Sequence, residues 1–197
     1  EEMGGGARCE SVEAIITNCV LVGNGAARGG GAYMGTLLGS RILSNRVVNY
    51  GGGAYYSVLS NCTIRGNLAG RYGGGMDRST ARSCVIQCNT SALFYGGASS
   101  TPVFSSLIVG NAAVSNGGGV GGGGVYGCTV VSNASRGRGG GVYAAVIANS
   151  ILMDNMPGGD ATNCTTVRFS RLVPLQSGSG NITDDPRFVN PSAGDFR

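Results

Sequence analysis

Arginine and tyrosine fall on either side of a recurring glycine run. Arg28, Arg71, Arg136 and Arg138 lie just before it, and Tyr33, Tyr55, Tyr56 and Tyr143 just after. A guanidinium fork meets a carboxylate or sulfate through paired hydrogen bonds, and a tyrosine ring offers a flat surface with a polar tip. Arg28, Arg71, Arg136, Arg138, Tyr33, Tyr55 and Tyr143 are therefore the candidate residues for an anion-binding or acidic-glycan-binding face. The plainer alternative is solvated edges and tyrosines that stack to stabilise neighbouring layers.

Catalytic chemistry has less to draw on. The chain lacks histidine, which removes the commonest general base, the commonest metal ligand and the histidine-containing triads. Between residues 14 and 153 the single acid is Asp77, whereas glycoside hydrolysis uses two carboxylates about 5 to 10 Å apart. Asp77 with Arg78, beside Arg82, is the one acid-base cluster in that stretch. Asp154, Asp160, Asp184 and Asp185 fall near turns, where carboxylates cap backbone donors. No catalytic residue, cofactor or metal site is assigned.

The charge is +4, and every one of the 14 basic residues is Arg. That weak, dispersed charge does not indicate nucleic acid. No apolar run approaches the roughly 18 residues of a membrane span. Seven cysteines cannot all pair within the chain, so at least one thiol is free. Cys19, Cys62, Cys84 and Cys128 share a column with serines and read as small buried fillers. Cys62 and Cys84 lie one repeat apart, where side chains pointing the same way make a disulfide awkward. Cys84 and Cys88 alone are a poor zinc site.

The elements that carry these residues are set by a repeat. Asn45, Asn67, Asn89, Asn111, Asn133 and Asn155 are spaced by 22 residues, with Asn24 one residue out of register. Gly29-Gly30-Gly31, Gly51-Gly52-Gly53, Gly73-Gly74-Gly75, Tyr95-Gly96-Gly97, Gly117-Gly118-Gly119 and Gly139-Gly140-Gly141 keep the same period. Counting from each triplet, apolar columns follow at three residues (Ala32 to Val142), eight (Leu37 to Ile147) and thirteen (Ile42 to Leu152). A small Ser/Cys column lies at eleven (Ser40 to Ser150). Between these columns outward residues alternate with period two, the signature of strands.

The predicted fold is all-β: a right-handed, single-stranded parallel β-helix of about seven 22-residue coils, each with two or three short strands. Successive coils stack about 4.8 Å apart, giving a rod roughly 35 Å long. The asparagines are expected to form a structural ladder of side-chain amides. Gly4 to Gly29 spans 25 residues, so a small loop is expected around Glu10 to Ala14. Met156-Pro157-Gly158-Gly159-Asp160 breaks the pattern. Residues 1–160 read as the β-helix and 161–197 as a capping segment of the same domain. The N-terminal end shows no comparable cap, which predicts a longer parent chain or another chain covering that end.

The GGA element, GGAY at Gly30 to Tyr33 and Gly52 to Tyr55 and GGVY at Gly140 to Tyr143, alternates with an aliphatic-x-x-Asn element such as Ile42 to Asn45 and Leu152 to Asn155. This pairing resembles the GGA[ILV] and FxxN repeats of chlamydial polymorphic outer-membrane proteins, with an aliphatic residue where that family often has Phe. The run Asp185-Pro186-Arg187-Phe188-Val189-Asn190 and then Gly194-Asp195-Phe196-Arg197 resembles the close of many bacterial right-handed parallel β-helix repeat proteins. The resemblance implies a secreted or cell-surface location and an adhesin-like role; together with the missing carboxylate pair it implies no catalysis, and the Arg and Tyr residues point to acidic glycans or cell-surface polymers as partners. The alternatives are a carbohydrate-active β-helix fragment, lyase-like or glycosidase-like, and an inert structural spacer.

Overall fold

The computed structural model describes residues 2–190, 193, 195 and 196. It is a parallel β-helix with four sheets, where the sequence pattern predicted two or three strands per coil. One coil runs through Met76–Asp77, Thr80–Arg82, Val85–Gln87 and Thr90–Ser91. Its first strand pairs in parallel with Ala54–Tyr55 below and Ala98–Ser99 above, in register. The other three do likewise, giving sheets of eight, eight, seven and six strands. The fourth side was missed because its inward column, Val47, Ala69, Ser91, Ala113 and Ser135, mixes apolar and polar residues.

Corners recur on a shorter beat than the coil. Gly73, Arg78, Ser83, Cys88 and Tyr95 all have positive φ, between 49° and 62°, at spacings of five, five, five and seven residues. Each five-residue side places one inward side chain at the middle of a short strand and then turns through a left-handed residue. Because non-glycine residues occupy most of these turns, the beat is hidden in the sequence. At the corners between the strands the residue after the turn supplies a side-chain bond: Ser106 Oγ accepts the Cys84 N–H at 3.0 Å, and Ser79 Oγ accepts that of Ser57 at 3.1 Å.

The core is one continuous stack. Leu37, Leu59, Ala81, Val103, Val125 and Ile147 fill the second side, and Ile42, Ile64, Ile86, Ile108, Val130 and Leu152 the third, all fully buried. The asparagines lie inside the corner between the third and fourth sides. Asn89 Nδ2 donates to Asn111 Oδ1 and to the Ile64 carbonyl, each at 2.9 Å. Its Oδ1 accepts the backbone and side-chain N–H groups of Asn67, also at 2.9 Å. All four bonding positions of the amide are used.

The ends differ. At the first coil Ile16 and Leu21 are only partly covered, Cys19 is exposed rather than buried, and a turn follows Glu10 as expected. At the other end the coil continues past the expected boundary at residue 160: Ala161–Thr162 and Thr166–Arg168 extend the first and second sheets. Leu172 is fully buried beneath the capping segment, where Ile182 bridges Arg171. All seven cysteines are free thiols. Cys62, Cys84 and Cys128 are buried, each thiol donating to a backbone carbonyl. No helix among the described residues is long and apolar enough to cross a membrane.

Candidate functional site

The first sheet carries an outward column that changes size from coil to coil. Opposite one another in register stand Tyr33, Tyr55, Asp77, Ser99, Gly121 and Tyr143. A ladder of equal tyrosines would make a flat wall. Instead the side chains shrink from Tyr55 to Gly121 and open a hollow in the rod's flank.

A second column, just before the triplets, builds one wall. Tyr50, Tyr72 and Phe94 follow one another at 22 residues and stack with ring centroids 5.6 and 5.3 Å apart. Tyr50 also stacks on Tyr55 at 6.2 Å, and Tyr55 on Tyr33 at 6.0 Å, which closes the hollow toward the first coils.

Tyr95 closes the opposite end. It occupies the first triplet position, where the other coils use Gly29, Gly51, Gly73, Gly117 and Gly139 with φ between 61° and 70°, and it adopts φ 61° itself. A tyrosine in that conformation costs on the order of 1–2 kcal/mol, which glycine would not. Its ring lies over Gly121, where a Cβ would collide with the ring atoms. The strained residue and the bare glycine therefore fit each other.

The result is a cleft of about 540 Å³ lined by Arg28, Tyr50, Tyr55, Tyr72, Asp77, Arg78, Tyr95, Ser99 and Ser100. That volume falls within the range of small-ligand sites, about 300–1,000 Å³. Asp77 is only 4% exposed although it points away from the core. Burial raises its pKa, outweighing a hydrogen bond with Ser99 and the charge of Arg78, whose Nε lies 4.0 Å from Oδ2. Arg78 Nη1 donates to the Tyr56 hydroxyl at 2.7 Å, and the Arg28 guanidinium lies 5.4 Å from the Tyr50 ring centroid. Burial also raises the phenols of Tyr55 and Tyr95, so both remain hydrogen-bond donors at neutral pH.

Of the residues singled out from sequence, Arg28 and Tyr55 line this cleft, and Tyr33 supports it from behind. Tyr143 lies beyond Gly121, close enough to Tyr95 to affect its phenol. Arg71, Arg136 and Arg138 are exposed and do not line it. The Asp77 cluster also divides: Arg78 stays with Asp77, while Arg82 belongs to the second sheet, its guanidinium 4.2 Å from the Phe104 ring centroid. Sequence reading missed Tyr50, Tyr72, Tyr95, Ser99 and Ser100. The signals were the 22-residue recurrence of Tyr50, Tyr72 and Phe94, and the one triplet in which tyrosine replaces glycine.

Asn24, Asn45, Asn67, Asn89, Asn111, Asn133 and Asn155 take no part in the cleft. Their amides bond along the stack from Asn24 to Asn155. Among the described residues, no group of three or more His, Cys, Asp or Glu side chains is placed to hold a metal ion. No protein-family model matches the chain, and no curated protein matches it.

Proposed function

We propose that this chain is a noncatalytic binding segment of a secreted or cell-surface β-helix, an adhesin-like stalk whose flank holds acidic glycans. The observation that carries the reading is the cleft around Asp77, where four tyrosines and two arginines line one hollow. Tyrosine rings cover the C–H faces of a sugar, phenols and Ser99 meet its hydroxyls, and guanidinium groups meet its carboxylate or sulfate. The location and the adhesin-like role rest on the repeat resemblance alone.

A carbohydrate-active enzyme is the second reading, favoured by one feature: a buried Asp77 with a raised pKa suits a general acid or base. Against it, Asp77 is the sole carboxylate lining the cleft, and hydrolysis uses a pair. Turnover of pectin, alginate or a glycosaminoglycan that disappears in Asp77→Asn would establish the enzyme and overturn the binding module.

A glycan array probed at low and high salt tests the leading reading. Binding to acidic glycans that weakens with salt and is lost in Arg78→Ser supports it. Binding to none of them leaves an inert spacer.

A further inference from the structure

The cleft is a pocket with two closed ends, and this limits what can enter. Between Tyr55 and the Tyr95 ring that covers Gly121, the coils of Asp77 and Ser99 carry the short side chains of the floor. At about 4.8 Å per coil they provide roughly 10 Å along the rod. Tyr55 bounds that space on one side, held by stacking on both Tyr33 and Tyr50. Tyr95 bounds it on the other, its ring over Gly121. A groove for a polymer would keep small residues in the same column over many coils; here the column returns to tyrosine at Tyr143.

Tyr95 is the informative residue. Glycine fills its position in the neighbouring triplets and would leave Gly121 and the Ser99 floor open along the axis. Left-handed non-glycine residues are common at the corners of this coil, so what sets Tyr95 apart is its side chain: a ring over Gly121 at a position where the other triplets have glycine.

We propose, resting on the acidic-glycan reading above, that the pocket takes a single hexuronate residue at the end of a glycan chain rather than a polymer lying along the rod. The carboxylate meets Arg78 at the rim, the ring packs against the surface formed by the adjoining Tyr72 and Tyr95 rings, whose centroids lie 6.1 Å apart, and hydroxyls reach Asp77 and Ser99 on the floor. Tyr95 is the residue that sets this specificity. A cluster of tyrosines with one carboxylate would also suit a quaternary ammonium ion, but the guanidinium groups of Arg28 and Arg78 line the same space and oppose a cation.

Calorimetric titration with defined probes tests this: methyl galacturonoside, methyl galactoside, a trimer in which only the central residue is a uronate, and tetramethylammonium. The wild-type chain is expected to bind methyl galacturonoside at least tenfold more tightly than either the neutral sugar or the trimer. In Tyr95→Gly, which restores the repeat's own residue, the trimer should bind as well as the single sugar. Ser99→Tyr, which continues the tyrosine column through the pocket, should abolish binding of both; thermal melting checks that each variant is folded. Equal binding of trimer and monosaccharide by the wild type overturns the chain-end pocket and leaves the acidic-glycan reading standing. Tighter binding of tetramethylammonium, or no binding of any acidic probe, overturns both.

Discussion

Asn155 Nδ2 donates to Asp160 Oδ1 at 2.8 Å, and with that bond the internal amide ladder ends on a carboxylate. Each rung from Asn45 to Asn133 donates through Nδ2 and accepts through Oδ1, which an ionised carboxylate cannot do. The last rung needs an acceptor alone, and Asp160 also receives the Val173 N–H at 2.8 Å and lies 3.7 Å from Arg171. The stack is thus terminated by chemistry as well as by the chain that covers it.

The ladder makes its rungs unequal in substitution. Asn89→Asp keeps the acceptors but cannot donate to Ile64 or Asn111, and it buries a charge. A loss of about 3–5 kcal/mol in chemical denaturation is expected, as for other broken buried networks. Asp160→Asn still accepts from Asn155 and should cost only about 1–3 kcal/mol, through its weaker hold on Arg171 and Val173. Equal losses at the two positions would show that the direction of the ladder is immaterial.

Asp77 should make stability depend on pH in the sense opposite to a salt-bridged acid. Its folded pKa is raised above the ordinary 3.8, chiefly by burial, so between those two values the folded chain holds the proton more strongly than the unfolded chain does. The resulting stabilisation is complete below about 3.8 and is lost as pH rises through the folded value. Asp77→Asn removes this dependence, so the variant should melt higher than wild type at neutral pH, with the gap closing in acid. Melting curves from pH 3 to 8 decide it; a gap that widens in acid would contradict the raised pKa. The charged and titratable neighbours in that comparison are Arg28, Arg78, Tyr50, Tyr55, Tyr72 and Tyr95.

Thiol chemistry should follow burial. Cys19 and Cys88 are exposed, while Cys62, Cys84 and Cys128 are buried. Burial pushes the Cys128 thiol up to about 11, and contact with Cys62, followed by burial, raises Cys84. Mass spectrometry after brief iodoacetamide treatment should find Cys19 and Cys88 modified first and Cys128 unmodified until the chain is unfolded. Early labelling of Cys128 would mean that the stack opens locally.

Glycine positions separate into two kinds. A Cβ on Gly118 would collide with the carbonyl oxygens of Ala134 and Gly140, both backbone atoms that cannot swing away. Gly118→Ala should cost about 1–3 kcal/mol or more. Gly25→Ala meets only Arg46 O at 3.9 Å, and it should be neutral or stabilising by up to about 1 kcal/mol. Similar effects at both sites, measured by urea denaturation, would argue against close packing of the triplets.

The sequence disclosed the architecture because a solenoid writes the same instruction in each coil. Ile42, Ile64 and Ile86 can be aligned by counting, and so can the asparagines. The fourth side stayed hidden because Ala69, Ser91 and Ala113 lack a common polarity, and the left-handed corners because Arg78, Ser83 and Cys88 are not the residues expected there. The site was hardest to see, since it is built from departures. Asp77 interrupts a tyrosine column and Tyr95 interrupts a glycine column, and neither departure has a meaning until register sets them beside one another. Arg136 and Arg138 fit the sequence pattern equally well but lie against coils whose column holds no such hollow.

The proposed site for acidic sugars is the flank of the Asp77 and Ser99 coils. Its most direct test is an amide-resolved NMR titration of the wild-type chain with methyl galacturonoside. Shifts concentrated at Tyr72, Asp77, Arg78, Ser99 and Ser100 are the expected result. Shifts centred on Arg136 and Arg138, or none at saturating sugar, would contradict it.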